Sequence, residues 1–397
     1  MKDAENIAVV GREIDAVSLT VLLKKNNMRH KVTLITDTEL PGFFRSKLPL
    51  FLVDKISLKD LILYEKKFLE KILLIKIEKV DNLETLSLKK ISSEYDRVYI
   101  ASITTPSIKE DKFIHLSKPE TAIKLKQLIN KKNNAEINVY GDLWGIWIAD
   151  VLSKNGYNVT LCISNDNFYQ EYFDEEIWRI IVNESNLLFN TKRINPKETN
   201  SDIFIISGFE LPLVKYPEKL PDNVITYGSS SFSKDILLGK NFFHLSENLS
   251  IIQARMSILR MLGFHTFGYT RFFLSKIGKF FIASIGYNKK TLENYNIKTS
   301  STRIRIPILE NGKYSEEDIV IKAVADKYSR RVLGFQIISS SILALSYAEY
   351  AYALLLLGNP LNNLQLLITA FIPGEKFFYN PINKVLNTLW TKTLEYG

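Results

Sequence analysis

The sequence predicts an α/β chain made of two similar strand–turn–helix–strand units followed by an α+β module, and three observations carry this reading. First, IAVV (7–10), a glycine turn at Gly11, an amphipathic helix ending near Asn27 and VTLIT (32–36) form one βαβ unit. Parallel strands joined by a helix require a domain of this class. Second, INVYGDLWGIWIADVLSKNGYNVTLCI (137–163) repeats strand, glycine turn, helix and strand. Third, the pattern changes near Gly268. There FFLSKIGKFFIASIGY alternates like a strand pair, and IVIKAVAD (319–326) and RVLGFQIIS (331–339) form a hairpin around Lys327–Arg330. A long helix follows from about Ser340 to Leu357.

The remaining elements fall between these. LKDLILYEKKFL (58–69) reads as a helix, EYDRVYIAS (94–102) as a strand returning to the first sheet, and DIFIISG (202–208) as its counterpart in the second unit. Two such units make an internal repeat of dinucleotide-binding type. Boundaries are expected near 109–119, 202–212 and 263–268. A length of 397 residues suits two or three domains, because single cores stop growing near roughly 250 residues.

Composition excludes several classes. With 46% hydrophobic, 12% aromatic and 24% charged residues, the chain is neither disordered nor a coiled coil. The one cysteine, Cys162, rules out an intramolecular disulfide framework, a cysteine-ligated metal site and two-thiol redox chemistry within the chain. Its place at the end of a buried strand reads as a core thiol. Four scattered histidines (His30, His115, His244, His265) do not form a metal motif. The apolar run 332–358 is interrupted by Ser339, Ser340, Ser341, Ser346 and Glu349, so no membrane span is expected. The opening MKDAENIAVVG has no signal-type apolar region, and a cytoplasmic location is expected. The net charge of +9 invites a polyanion such as nucleic acid, but the basic residues are spread along the whole chain, as on a solvated surface.

The order of parts resembles the FAD-dependent pyridine nucleotide-disulfide oxidoreductase family, in its rubredoxin-reductase, nitrite-reductase and NADH-oxidase-like branch, with coenzyme A disulfide reductase also similar. FFRSKLPLFL (43–52) resembles the segment beside the flavin, and EYDRVYIAS the strand leading to an alanine-threonine-glycine turn. YFDEEIWRIIVNESNLLF (172–189) resembles the helix after the nicotinamide-binding unit. VITYGSS (224–230) stands in the place of the glycine-aspartate flavin motif. KAVADKYSRRVLGFQIIS (322–339) and FIPGEKFFYNPINKVL (371–386) resemble the dimerisation domain. The resemblance implies two Rossmann-like dinucleotide-binding domains, the second inserted in the first, plus a C-terminal α+β dimerisation domain. The expected divisions are 1–112 with 203–267 (FAD type), 113–202 (NAD type) and 268–397 (interface).

The residues at the implied sites depart from the family pattern. In G-x-G-x-x-G the first glycine makes the turn, the second admits the pyrophosphate and the third lets helix and strand pack closely. The first unit keeps Gly11 and the small Ala16 but places Glu13 where the pyrophosphate would lie, adding bulk and like charge. The ribose-holding acid falls at Thr36, with Asp37 one position late. Ile103 replaces a turn glycine, and Ser229 replaces the flavin-motif aspartate. The second unit keeps Gly141 and Gly145, with Asp142, Leu143, Trp144 and Trp147 crowding its turn. Ser46 lies near where the redox cysteine of a coenzyme A disulfide reductase falls, between Arg45 and Lys47, a pair suited to an anion.

The expected cofactor-binding residues are therefore vestigial: Gly11, Glu13, Ala16, Asp37, Arg45, Lys47 and Ser229 for FAD, and Gly141 and Gly145 for NAD. The expectation is a degenerate, non-catalytic structural or binding subunit without cofactor. One alternative is an FAD-dependent NAD(P)H oxidoreductase with divergent motifs; another is a polyanion- or RNA-assembly-binding protein. In the family the C-terminal module pairs two chains. A homodimer, or a heterodimer with an intact paralogue, is accordingly expected through residues 340–394.

Overall fold

The computed structural model describes residues 4–395 apart from 107–112, 133, 186, 194–200, 209, 215–218, 267, 311–312 and 365–379. The strands in chain order are β1 (Asn6–Val10), β2 (Lys31–Thr36), β3 (Lys76–Lys79), β4 (Arg97–Ile100), β5 (Thr104–Pro106), β6 (Phe113–His115), β7 (Glu136–Tyr140), β8 (Asn158–Ile163), β9 (Asn190–Arg193) and β10 (Ile203–Ile206). They continue as β11 (Glu210–Pro212), β12 (Val224–Thr226), β13 (Ser233–Lys234), β14 (Asn241–Phe242), β15 (Phe272–Ile277), β16 (Phe280–Gly286), β17 (Thr299–Glu310), β18 (Lys313–Asp326) and β19 (Val332–Ser339). The helices are α1 (Ile14–Asn26), α2 (Leu48–Leu52), α3 (Leu88–Glu94), α4 (Pro119–Lys131), α5 (Asp142–Lys154), α6 (Glu175–Glu184), α7 (Glu247–Met261), α8 (Lys289–Asn294), α9 (Leu343–Leu357), α10 (Leu361–Leu364) and α11 (Pro381–Glu395).

The first sheet runs β12-β4-β1-β2-β3 and is parallel throughout. The second, β6-β10-β7-β8-β9, is also parallel. Because β12 completes the first sheet after the second has been laid down, the second unit is an insertion in the first. β1 shows why its sequence is a continuous apolar run: Ile7 and Val9 join the core that contains Val17, Leu19 and Leu23 of α1, while Ala8 and Val10 join Ile35, Val98 and Ile100 on the other face. A strand covered on both faces has no polar side to display.

The glycines hold these helices against their sheets. A Cβ on Gly11 would stand 2.7 Å from the Cβ atoms of both Ala101 and Ala16. A Cβ on Gly141 would fall 1.7 Å from the Ser207 carbonyl oxygen. Gly145 faces Leu161 Cδ1 at 3.1 Å and Val139 Cγ1 at 3.3 Å, which is the close helix–strand approach that a third glycine serves.

The helix expected over 58–69 is not formed. Leu58–Leu61 is a 3₁₀ turn in which Ser57 and Asp60 cap one another, and Phe68–Ile72 is a π turn. The intervening backbone pairs instead with the loop before α2: Phe44 N–H donates to Leu61 O at 2.9 Å, and Phe43 bridges Ile62. Burial of Leu61, Leu69 and Leu73 fits an irregular strap as well as it fits a helical stripe, so spacing alone did not separate the two.

By compactness the chain divides into residues 1–164 with 189–234 and 241–267, and residues 165–188 with 235–240 and 268–397. Residues 268–397 of the latter part carry the antiparallel sheet β15-β16-β19-β18-β17. α9 buries Ala344, Tyr347, Ala348, Ala351, Leu354 and Leu355 and packs on β16 and β19. α11 packs on β17 and β18 and buries Ile382, Val385, Leu386 and Leu389. Much of the apolar surface expected to need a partner is thus covered within this unit. Phe377, Phe378 and Tyr379 lie outside the described residues. No helix among the described residues is long and apolar enough to cross a membrane.

Candidate dinucleotide site

β1 ends at Gly11, whose N–H donates to Ile35 O at 3.0 Å, and the turn delivers Arg12 and Glu13 to the start of α1. A helix N-terminus leaves unpaired N–H donors and a positive dipole end that suit a phosphate. Here a loop of the chain itself takes one of these donors, the Ile14 N–H. The loop at Gly42–Phe43 crosses the turn, with Gly42 N–H bonded to Arg12 O at 2.9 Å and Ile14 N–H to Phe43 O at 3.1 Å. Burial raises the Asp15 pKa, and its Oδ2 accepts the Ser102 N–H at 3.0 Å and hydroxyl at 2.7 Å.

Ser102 extends the network. Its hydroxyl accepts from Ser229 N–H at 3.2 Å and lies 3.0 Å from Ser250 Oγ. Gly228 N–H donates to Gln253 Oε1 at 2.5 Å. Gly228 has φ +65°, and a Cβ there would come within 2.3 Å of Ser102 Oγ and 2.9 Å of Asp15 Oδ2. A dinucleotide whose pyrophosphate rested on the first turn of α1 does not fit this arrangement unless Asp15 moves.

Glu13 does not act as the sequence suggests. Burial pushes its carboxyl up to about 8, against the pull of Arg45. It is therefore protonated at neutral pH and brings bulk but not the expected like charge. Arg45 and Arg12 face it, as do the carboxyl groups of Asp15 and Glu247. Arg12 Nε lies 3.4 Å from Asp37 Oδ1, and Lys118 Nζ lies 2.5 Å from Asp37 Oδ2, with the Asp37 side chain fully buried. Arg12 Nη2 is buried with no hydrogen-bond partner. His115 is pushed down to about 3, chiefly by burial and then by Arg45, Arg12 and Lys118. It stays neutral across the physiological range.

Segment 45–52 is anchored by Glu247, which accepts the Ser46 N–H at 3.1 Å and the Ser46 hydroxyl at 2.5 Å. Burial raises the Glu247 pKa. Trp147 of the second unit donates its indole N–H to Ser46 O at 2.8 Å. The structure thus gathers Gly11, Glu13, Ala16, Asp37 and Arg45, and ties Ser229 to the same network through Ser102. Lys47 is not part of it: its ammonium donates to Asp60 O at 2.8 Å and sits 4.5 Å from the centre of the Phe44 ring. Sequence reasoning missed Arg12, Asp15, Ser102, Lys118 and Glu247. Arg12 and Asp15 flank the questioned Glu13 and could have been weighed with it, whereas the others reach the site only through tertiary structure.

The second glycine turn has its own internal anion. Asp142, at φ +45°, opens α5, and its carboxylate accepts the Ser164 N–H at 2.8 Å and hydroxyl at 2.7 Å just beyond β8. Burial raises its pKa. Leu143 is buried, and Trp144 packs against Gly208. Cys162 is fully buried, and burial pushes its thiol up to about 12, which leaves it inert as a nucleophile. Among the described residues no three His, Cys, Asp or Glu side chains are grouped to hold a metal ion.

By sequence the chain matches no known family and no curated protein. By structure it is similar to a water-forming NADH oxidase from Lactobacillus brevis bound to NADH, with TM-score 0.83 and 15% identity over 99% of this chain and 100% of that one. It is also similar to an NAD-dependent persulfide reductase from A. fulgidus, with TM-score 0.84 and 16% identity over 98% and 84%. A third likeness is to an FAD-dependent pyridine nucleotide-disulphide oxidoreductase from Desulfovibrio vulgaris, with TM-score 0.65 and 12% identity over 98% and 100%. At these identities the likeness establishes the fold, two parallel dinucleotide-type sheets and a C-terminal antiparallel one. The expectation that no cofactor is taken is corrected by it. The chain folds over 98–99% of its length like proteins described as NADH-bound, NAD-dependent and FAD-dependent.

Proposed function

We propose that the chain is a divergent oxidoreductase of the pyridine nucleotide-disulfide type, taking flavin and nicotinamide dinucleotides. In this reading the first dinucleotide's phosphates are met by side-chain cations rather than by the N-terminus of α1. The observation that carries it is the placing of Arg45 and Arg12 beside a protonated Glu13, with Lys118 joined to the same neighbourhood through Asp37 and His115. Arg12 holds an unpartnered buried donor there, and a neutral carboxylic acid can donate to a phosphate oxygen where a carboxylate would repel it. A flavin would supply hydride chemistry. The chain's own residues supply no thiol relay, because Ser46 carries a hydroxyl and Cys162 is a buried core thiol.

The experiment is a visible spectrum of the purified protein after incubation with FAD, followed by anaerobic NADH. Flavin bands that bleach on NADH support the reading, and a colourless protein in excess FAD contradicts it. A second reading, a binding subunit that works by association through residues 340–394, is favoured by the exposure of Ile342, Leu357 and Leu394 at 66%, 58% and 53%. Sedimentation as a stable monomer at micromolar concentration counts against it.

A further inference from the structure

A second ligand site lies at the other end of the first sheet. Asn6, Lys31 and Lys76 open β1, β2 and β3, and Glu94 and Tyr95 precede β4. Together with the chain leaving α1 they line a cavity of about 590 Å³. Ligands of parallel α/β sheets gather at the carboxyl ends of the strands, where Arg12 and Asp37 stand, so this cavity is at the opposite edge. Its volume lies within the range of small-molecule sites.

The lining is cationic and partly apolar. Of its four basic residues Lys76 is paired with Glu78 at 3.1 Å, which leaves Lys24, Arg29 and Lys31 against the carboxylate of Glu94. Lys24 is 3% exposed, and its ammonium donates to Met28 O at 2.8 Å and His30 O at 2.9 Å. An ammonium has three donors, so one remains beyond those two bonds, and burial lowers its pKa. His30 Nδ1 accepts the Glu5 N–H at 3.0 Å, which leaves Nε2 as the nitrogen that carries the proton in the neutral ring. Beside these groups stand Met28 at 51% exposure, Leu74 at 67% and the Tyr95 ring. Soft and aromatic surface next to fixed cations suits a planar base joined to phosphate.

We propose that this cavity binds a nucleoside phosphate, its phosphates on Lys24, Arg29 and Lys31 and its base against Met28, Leu74 and Tyr95. The proposal is independent of the cofactor reading, since it uses none of the same residues. The test is calorimetric titration of ADP into the full chain in the presence of saturating FAD and NADH, which removes competition from the dinucleotide sites. ADP binds, and the exposed-residue variant Arg29→Glu/Lys31→Glu weakens it at least about tenfold while the response to FAD and NADH is unchanged. Lys76→Glu alone gives a smaller loss in the same direction, which guards against a folding defect in the double variant. No ADP binding overturns the proposal, as does ADP affinity indifferent to both variants. Inorganic phosphate binding as tightly as ADP, or a single-stranded oligonucleotide displacing ADP at lower concentration, also overturns it.

Discussion

Gly11 and Gly141 each open a thirteen-residue helix after an interior strand of a parallel sheet, yet the two turns are fastened differently. In both, a first-turn aspartate occupies the anion position and is held by a serine beyond a neighbouring strand. Asp15 bonds Ser102 beyond β4, and Asp142 bonds Ser164 beyond β8. Acidic residues are favoured in the first turn of a helix, and at both turns burial raises the aspartate's pKa. The first turn also has Arg45 and Arg12 beside Glu13, with Arg12 and Lys118 both on Asp37. The comparison teaches that two turns of one pattern, each fastened by an aspartate–serine pair, can stand in different electrostatic surroundings.

The largest effect should come from the glycine that separates the two turns most sharply. Gly141→Ala places a methyl group 1.7 Å from Ser207 O, which the backbone cannot absorb, and a loss of more than about 3 kcal/mol is expected. Gly11→Ala meets only the methyl groups of Ala16 and Ala101, at 2.7 Å, and should cost about 1–3 kcal/mol. Denaturant unfolding of the two variants orders them, and the reverse order would break the comparison.

Glu13 sharpens it next. A folded pKa of about 8, raised from 4.5, means that the folded state keeps a proton the unfolded chain has lost. Stability is full below about pH 4.5 and falls as pH rises through 8. Glu13→Gln removes that loss, so the variant should gain on the wild type by about 4 kcal/mol at pH 8 and by about 1 kcal/mol at pH 5. Melting temperatures at the two pH values check it, and a pH-independent difference would show that Glu13 is ionised.

The smallest effect concerns the tie between the two units. Trp147→Phe removes one hydrogen bond to Ser46 O and should cost about 1 kcal/mol. It should also raise amide exchange in segment 45–52. Unchanged exchange there would mean that Glu247 alone fixes the segment.

The repeat was legible because a strand covered on both faces must be continuously apolar, and because Gly11, Gly141 and Gly145 mark turns with few other uses, whereas the insertion came only from the family resemblance. The strap at 58–72 was not, since Leu61 and Leu69 satisfy either a helix or a backbone pairing with Phe43 and Phe44. At the site, residue type was legible but charge state was not. Glu13 reads as an anion, and only burial shows it to be an acid. The Asp37–Lys118 pair joins residues 81 positions apart, a separation that leaves no local pattern. The expectation of no cofactor rested on local departures at Glu13, Ile103 and Ser229, and it is overturned by the likeness of the whole fold to proteins described as NAD- and FAD-dependent.

The account's central claim is that side chains, not the N-terminus of α1, hold the first dinucleotide. FAD titration of the wild type, Arg12→Gln/Arg45→Gln and Asp15→Asn, followed by flavin fluorescence, tests it most directly. The account predicts saturable binding by the wild type, a loss on the order of a hundredfold in the arginine double variant, and little change in Asp15→Asn. Tighter binding by Asp15→Asn with the double variant unaffected would contradict it, because the phosphate would then be resting on the helix.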